Sequence, residues 1–319
     1  METIPGLGNK KASEKGIGLT AARMIGYTLR TRRDDGQGMI VKKTIKNEIS
    51  FSGIGIHSGK DVEISLKPSD SGEIVFRRKD QENTEYRLAL KNIRAENCTM
   101  LVTDKGKIRT MEHLLAVLWV HGVDSLIVEL NQEEIPILDG SALPFVQAVR
   151  KIGVRELPQK KRIIRIVKPF ILQENDASVS VVPDPALRIT YHIDYPHPLI
   201  KKQGISVIVN PDDFDRDIAP ARTFGFADDV PSLRERGLAV GGSLKNAVVL
   251  DRTSVISGAL RYPDEFVRHK VLDFIGDLSL AGFSLAGHFI AKKAGHRLHL
   301  KVVRFLRNNP EYSSLGQNL

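Results

Sequence analysis

The sequence predicts an α+β fold made of two similar-sized halves. Three observations predict it. Residues 61–66 and 187–195 alternate apolar and polar side chains, the period of a half-buried strand. Residues 111–121 and 263–280 carry apolar side chains at helical spacing. Both halves run strand, then helix, then strand, although their letters are too dissimilar to establish a repeat.

Residues 1–38 are rich in Gly, Lys and Arg and lack this periodicity, so they are expected to be a disordered N-terminal extension. A transit peptide is disfavoured by Glu2, Glu14, Asp34 and Asp35. A start at Met39 is the other reading. Residues 53–60 are glycine-rich like a phosphate loop, but a strand follows where such a loop needs a helix, so they read as a hairpin connection. Met111, Leu114, Leu115 and Leu118 form the stripe of the first helix, with Thr110 as its expected N-cap. Residues 125–130 read as a strand, 135–141 as a turn and 142–154 as a second helix. Residues 156–162, polar and containing Pro158, are the expected linker between domains at 39–155 and 162–312. Residues 205–209 form a further strand. Val267, Val271, Phe274, Ile275 and Leu278 make the apolar stripe of the 263–280 helix. Residues 289–291 and 298–302 flank a turn holding Gly295 and His296.

Composition narrows the function. The chain has 319 residues, 41% of them hydrophobic, enough for a buried core. It has no apolar run of about 18 residues, so no membrane span is expected. The single cysteine, Cys98, excludes a disulfide framework and favours a reducing, cytoplasmic setting. Of the formal charge of +9, residues 1–38 carry +3, and the body has no long basic block. With aromatics at only 6%, nucleic acid is a weaker partner than a phosphorylated substrate. The charge is also compatible with transient contact at a membrane surface.

The chemistry concentrates on two helices. His269, Asp273 and Asp277 are spaced i, i+4, i+8 and share one face. An imidazole and a carboxylate one turn apart can share a metal ion, but the same spacing describes a solvated His–Asp pair. Glu112 and His113 open the first helix about 100° apart, so one could bind a metal while the other faces its water. They also read as a charged helix start. Together, His113, His269 and Asp273 make three ligands from two elements, the number a catalytic zinc site uses, with Glu112 as base. His121, His192, His197, His288 and His299 read as surface or packing residues.

Five segments resemble, in order, the UDP-3-O-acyl-N-acetylglucosamine deacetylase family. They are Thr110-Met111-Glu112-His113-Leu114, Ile135-Pro136-Ile137-Leu138-Asp139-Gly140-Ser141 and Ala221-Arg222-Thr223-Phe224-Gly225-Phe226. The long segment 265–278 and Gly295-His296 complete the set. The resemblance spans roughly residues 40–307. It implies two α+β domains, each with helices packed on small sheets and with the active site between them, Zn2+ as cofactor, and a UDP-linked acylated amino sugar as substrate. The implied reaction removes the N-acetyl group as acetate, in lipid A biosynthesis. His113, His269 and Asp273 match the metal ligands and Glu112 the general base. His296 matches the cationic acid, Asp277 its orienting partner, and Thr223 the hydroxyl near the oxyanion. Phe224, Lys270 and Asp229 match substrate-contacting positions. His57 and Cys98 match positions near the pocket without a chemical step. An apolar channel for the acyl chain is expected from residues 225–262. The chain departs from the family at residues 1–38 and at His299, where members usually carry Asn. The alternatives are a zinc amidase acting on another substrate and a metal-binding module without turnover.

Overall fold

The computed structural model describes residues 41–316; the expected extension over residues 1–38 lies outside them. The first sheet has five strands in the order Ile49–Ile54, Asp61–Pro68, Leu126–Leu130, Ile74–Arg78, Thr84–Arg87. The alternation over Asp61–Pro68 turns Val62, Ile64 and Leu66 inward, all buried, while Asp61 and Glu63 face out. Residues 55–60 join the first two antiparallel strands, so the glycine-rich segment is a hairpin connection. A three-stranded meander, Ile93–Ala95, Thr99–Thr103 and Gly106–Ile108, precedes the first helix.

Six α-helical segments follow along the described chain: α1 (Glu112–Val120), α2 (Leu143–Ile152), the single turn α3 (Pro211–Asp213), α4 (Val230–Glu235), α5 (Glu265–Ser279) and α6 (His296–Asn308). Helix α1 is buried from Glu112 through Leu118, on every face rather than along one stripe, since it packs against both α2 and α5. The α1–α5 approach is unusually close. A Cβ added at Gly276 would sit 2.1 Å from the Glu112 carbonyl oxygen, so only glycine fits there.

The N-cap expected at Thr110 is not formed. Met111 takes that position and offers no side-chain cap, while Thr110 has φ = 57°. Its hydroxyl instead donates to Glu134 Oε1 at 2.9 Å. Glu134 is fully buried, and that bond, with the backbone N–H groups of His57 and Ser58, satisfies its carboxylate. Most of the stretch expected to link two domains has regular structure. Val154–Lys160 is a strand, paired antiparallel with Val41–Ile45. A two-stranded ribbon has open edges that tolerate Pro158, and only Leu157 of this strand is buried, so no hydrophobic period announces it.

The second large sheet has seven strands built around Ser284–Lys292. That strand pairs in parallel with Ile163–Ile166 and Leu187–Tyr195 and antiparallel with Ala177–Val182. Lys201–Ile208, Phe170–Glu174 and Ser313–Gly316 extend the sheet. Helix α5 packs on Leu187–Tyr195, and α6 packs on α5 and on Phe170–Glu174. The segment after Gly295 is therefore a helix, with His296 its first residue. The architecture is mixed α+β. Among the described residues no helix is long and apolar enough to cross a membrane.

Candidate metal centre and active site

His113, from the first turn of α1, meets His269 and Asp273 from α5, and all three are buried. Asp273 Oδ1 lies 3.6 Å from His113 Nε2 and 3.4 Å from His269 Nε2. Two ligands held about 2.0–2.1 Å from one tetrahedral ion are separated by about 3.3 Å, so the spacing fits a shared metal ion. His269 Nδ1 donates to the Ala221 carbonyl at 3.1 Å, which leaves Nε2 as the lone-pair atom facing the cluster. Burial lowers the His269 pKa to about 4, keeping that ring in the neutral, ligating form.

Asp273 divides its oxygens. Oδ1 faces the two imidazoles, and Oδ2 accepts from Lys270 Nζ at 2.9 Å. Burial opposes its charge, but His269, Lys270 and His113 outweigh burial and hold the carboxyl well below the usual range. Burial likewise opposes the charge on Lys270, and Asp273 outweighs it, raising the amine.

Glu112 and His296 stand beside this cluster. Glu112 Oε1 is 3.9 Å from His296 Nε2, and Glu112 Oε2 accepts from the Thr99 backbone N–H at 3.2 Å. Burial raises the Glu112 pKa, against the lowering effect of His296 and His113. His296 Nδ1 donates to Asp277 Oδ2 at 2.7 Å. Burial would strip His296 of its charge, yet the Asp277 carboxylate reverses that and carries the pKa up to about 9. A carboxylate and an imidazole thus face each other beside the His113, His269 and Asp273 cluster.

A family profile described as UDP-3-O-acyl N-acetylglycosamine deacetylase matches residues 42–308. The chain belongs to this family. It is 46% identical over 271 residues to UDP-3-O-acyl-N-acetylglucosamine deacetylase of Thermodesulfovibrio yellowstonii, covering 84% of this chain and 92% of that protein. It is 42% identical over 273 residues to the protein of that name from Myxococcus xanthus, covering 84% and 87%. The Syntrophus aciditrophicus protein of that name is 40% identical over 277 residues, covering 86% and 88%. Membership in the deacetylase family and the His/His/Asp cluster together support a metal-dependent amide hydrolase.

The remaining expected residues divide into two groups. Lys270 and Phe224 lie at the cluster: the Phe224 ring is 6.3 Å from that of His269, and Lys270 Nζ is 5.9 Å from the Phe224 ring centre. Thr223 is held by its backbone, its N–H donating to Gly140 O and its carbonyl accepting from Val248 N–H. The structure joins neither its hydroxyl nor the exposed Asp229 carboxylate to the cluster by a hydrogen bond among the described residues. Cys98 is buried, and burial followed by the nearby Glu112 charge pushes its thiol up to about 12. His57 sits apart, its Nδ1 facing the Ala239 N–H at 3.4 Å.

Three residues of the site escaped the sequence. Thr99 bonds Glu112 through its N–H and Asp277 through its hydroxyl, and its strand pattern carries no sign of this. Tyr191 reads as an inward strand residue. His299 does pack, stacked on Phe274 with ring centres 4.3 Å apart, but its Nδ1 also bonds Asp277 Oδ2 at 2.8 Å. Its place one turn after His296 was the available signal. Asp277, His296 and His299 lie close enough to hold a metal ion themselves, yet both imidazoles direct Nδ1 to one carboxylate oxygen, the arrangement of a hydrogen-bonded network.

Proposed function

We propose that this protein hydrolyses the acetamide of a UDP-3-O-acyl-N-acetylglucosamine, releasing acetate and the free amine, as a zinc-dependent step of lipid A biosynthesis in the cytoplasm. The observation that carries the reading is the opposition of Glu112 and His296, 3.9 Å apart, beside three convergent metal ligands. Amide hydrolysis needs both groups, one to take a proton from water and one to give a proton to a basic leaving amine.

His113, His269 and Asp273 would hold the zinc ion. Zinc, when bound, would supply Lewis-acid chemistry, polarising the carbonyl and lowering the pKa of water toward about 7. Glu112 takes the proton as the water oxygen attacks the acetamide carbon. The charge developing on the carbonyl oxygen is met by the Thr223 hydroxyl in this reading. His296 donates its Nε2 proton to the departing nitrogen as the C–N bond breaks, and Asp277 stabilises the charge that makes His296 a donor. Lys270 and Phe224 flank the sugar nucleotide, with Asp229 as a further substrate contact. Exposed Val240 and Leu244, in the segment expected to take the acyl chain, supply apolar surface for it.

The test joins metal analysis to turnover. Zinc-loaded protein should release acetate from the acylated sugar nucleotide far faster than from a simple acetamide. Comparable rates on both would favour an amidase of another substrate. Zinc binding with no turnover on either would leave a metal-binding module and overturn the proposal.

A further inference from the structure

We infer that His299 is a positioning residue of this site: its Nδ1 fixes the Asp277 carboxylate that aims His296 at Glu112. The inference rests on the deacetylase reading, because the task of His296 belongs to it.

Asp277 is fully buried and accepts three hydrogen bonds. His296 Nδ1 and His299 Nδ1 both lie on Oδ2, at 2.7 and 2.8 Å, and the Thr99 hydroxyl lies on Oδ1. Two of these donors come from one face of α6, and the third comes from the Thr99–Thr103 strand. The carboxylate is therefore gripped from both sides. A terminal carboxyl torsion is broad when unconstrained. Without His299, Oδ2 keeps one partner, the carboxylate can rotate, and the His296 ring bonded to it rotates too.

His299 is built for this task. It is fully buried, stacked on Phe274, and Tyr191 Oη lies 3.0 Å from its Nε2. Facing a carboxylate oxygen, Nδ1 must carry a ring proton. The Tyr191 hydroxyl donates its one proton to the Ala294 carbonyl at 2.7 Å, just before the start of α6. Burial lowers the His299 pKa, against the raising effect of Asp277. The ring thus locks the first turn of α6, where His296 sits, to the α5 carboxylate that His296 uses.

Substitution can separate the two nitrogens. Asn places its amide nitrogen where histidine has Nδ1, and Gln places its amide nearer Nε2. The experiment compares zinc-loaded wild type with His299→Asn, His299→Gln and His299→Ala. It measures kcat and KM on the acylated sugar nucleotide, zinc content, and the His296 Nδ1 proton resonance in protein labelled with 15N-histidine. Gln and Ala should lower kcat by at least about tenfold, with KM and zinc content held and the resonance shifted or lost. Asn should keep kcat within about threefold of wild type and retain the resonance. If Gln does not fold, the contrast between Asn and Ala carries the test. Wild-type kcat and resonance in the Ala protein would overturn the inference. So would an Asn protein as impaired as Ala, because ring packing on Phe274 would then be the whole role. If wild type shows no turnover, the deacetylase reading fails by itself, and the resonance comparison still decides the role of His299.

Discussion

Glu112 and His296 approach within 3.9 Å, and the surroundings raise both pKa values, that of Glu112 by burial and that of His296 by the Asp277 carboxylate overcoming burial. As the proposed base, Glu112 must be deprotonated, and burial raises its pKa, so the acid-side fall in activity should lie at higher pH than for an ordinary glutamate. As the proposed acid, His296 must be protonated, and with its pKa raised to about 9 the alkaline fall should lie near that pH. The kcat/KM profile should be bell-shaped between them. Glu112→Gln should cost roughly 10²–10⁴-fold in kcat/KM and remove the acid limb, with zinc retained. An acid limb unchanged in that variant would place the base elsewhere.

Asp277 is the largest favourable influence on the His296 charge. Asp277→Asn removes it while leaving burial, which lowers the pKa. The alkaline limb should therefore move from near 9 toward or below the ordinary imidazole value of about 6.5, with zinc content unaffected. Loss of zinc in this variant would mean that Asp277 binds the metal itself.

Removing one of three ligands should release the ion. His269→Ala is expected to reduce zinc from one per chain to a small fraction and abolish turnover together with it. Atomic absorption on the dialysed protein measures this. Full zinc occupancy with full activity would sink the ligand assignment.

Gly276 is a packing requirement of the same site. Alanine is the better helix former by about 1 kcal/mol, but its methyl would meet the Glu112 carbonyl oxygen at 2.1 Å. Overpacking against backbone costs about 3 kcal/mol, so Gly276→Ala should be net destabilised in a denaturant titration. Turnover should fall as well, since α1 must shift and carries Glu112 and His113 with it.

The elements legible in the sequence were those whose burial follows a period. The Leu187–Tyr195 strand and the α5 helix lie where alternation and the 3.6-residue stripe put them. Val154–Lys160 was illegible because a two-stranded ribbon buries almost nothing. Thr110 misled because a buried carboxylate 24 residues away claims the hydroxyl that would otherwise cap α1. In the site, residues joined by helical spacing were readable, as with His269 and Asp273. Thr99 was not, because its partner Asp277 is 178 residues distant and no local pattern encodes a contact across that span.

The central position of Ser284–Lys292 sets an order of assembly. On a ribosome, the strands Ile163–Ile166, Ala177–Val182 and Leu187–Tyr195 emerge long before the strand that must lie among them. Until residue 292 is free of the exit tunnel, their inner edges have no native neighbour, and such edges invite association with other chains. The five-stranded sheet also waits for its central strand, Leu126–Leu130, but only until residue 130 has emerged. The N-terminal sheet can therefore form during synthesis, whereas the second sheet closes only at its end, and heat-shocked or translation-stalled cells should accumulate nascent chains that are vulnerable between those two moments.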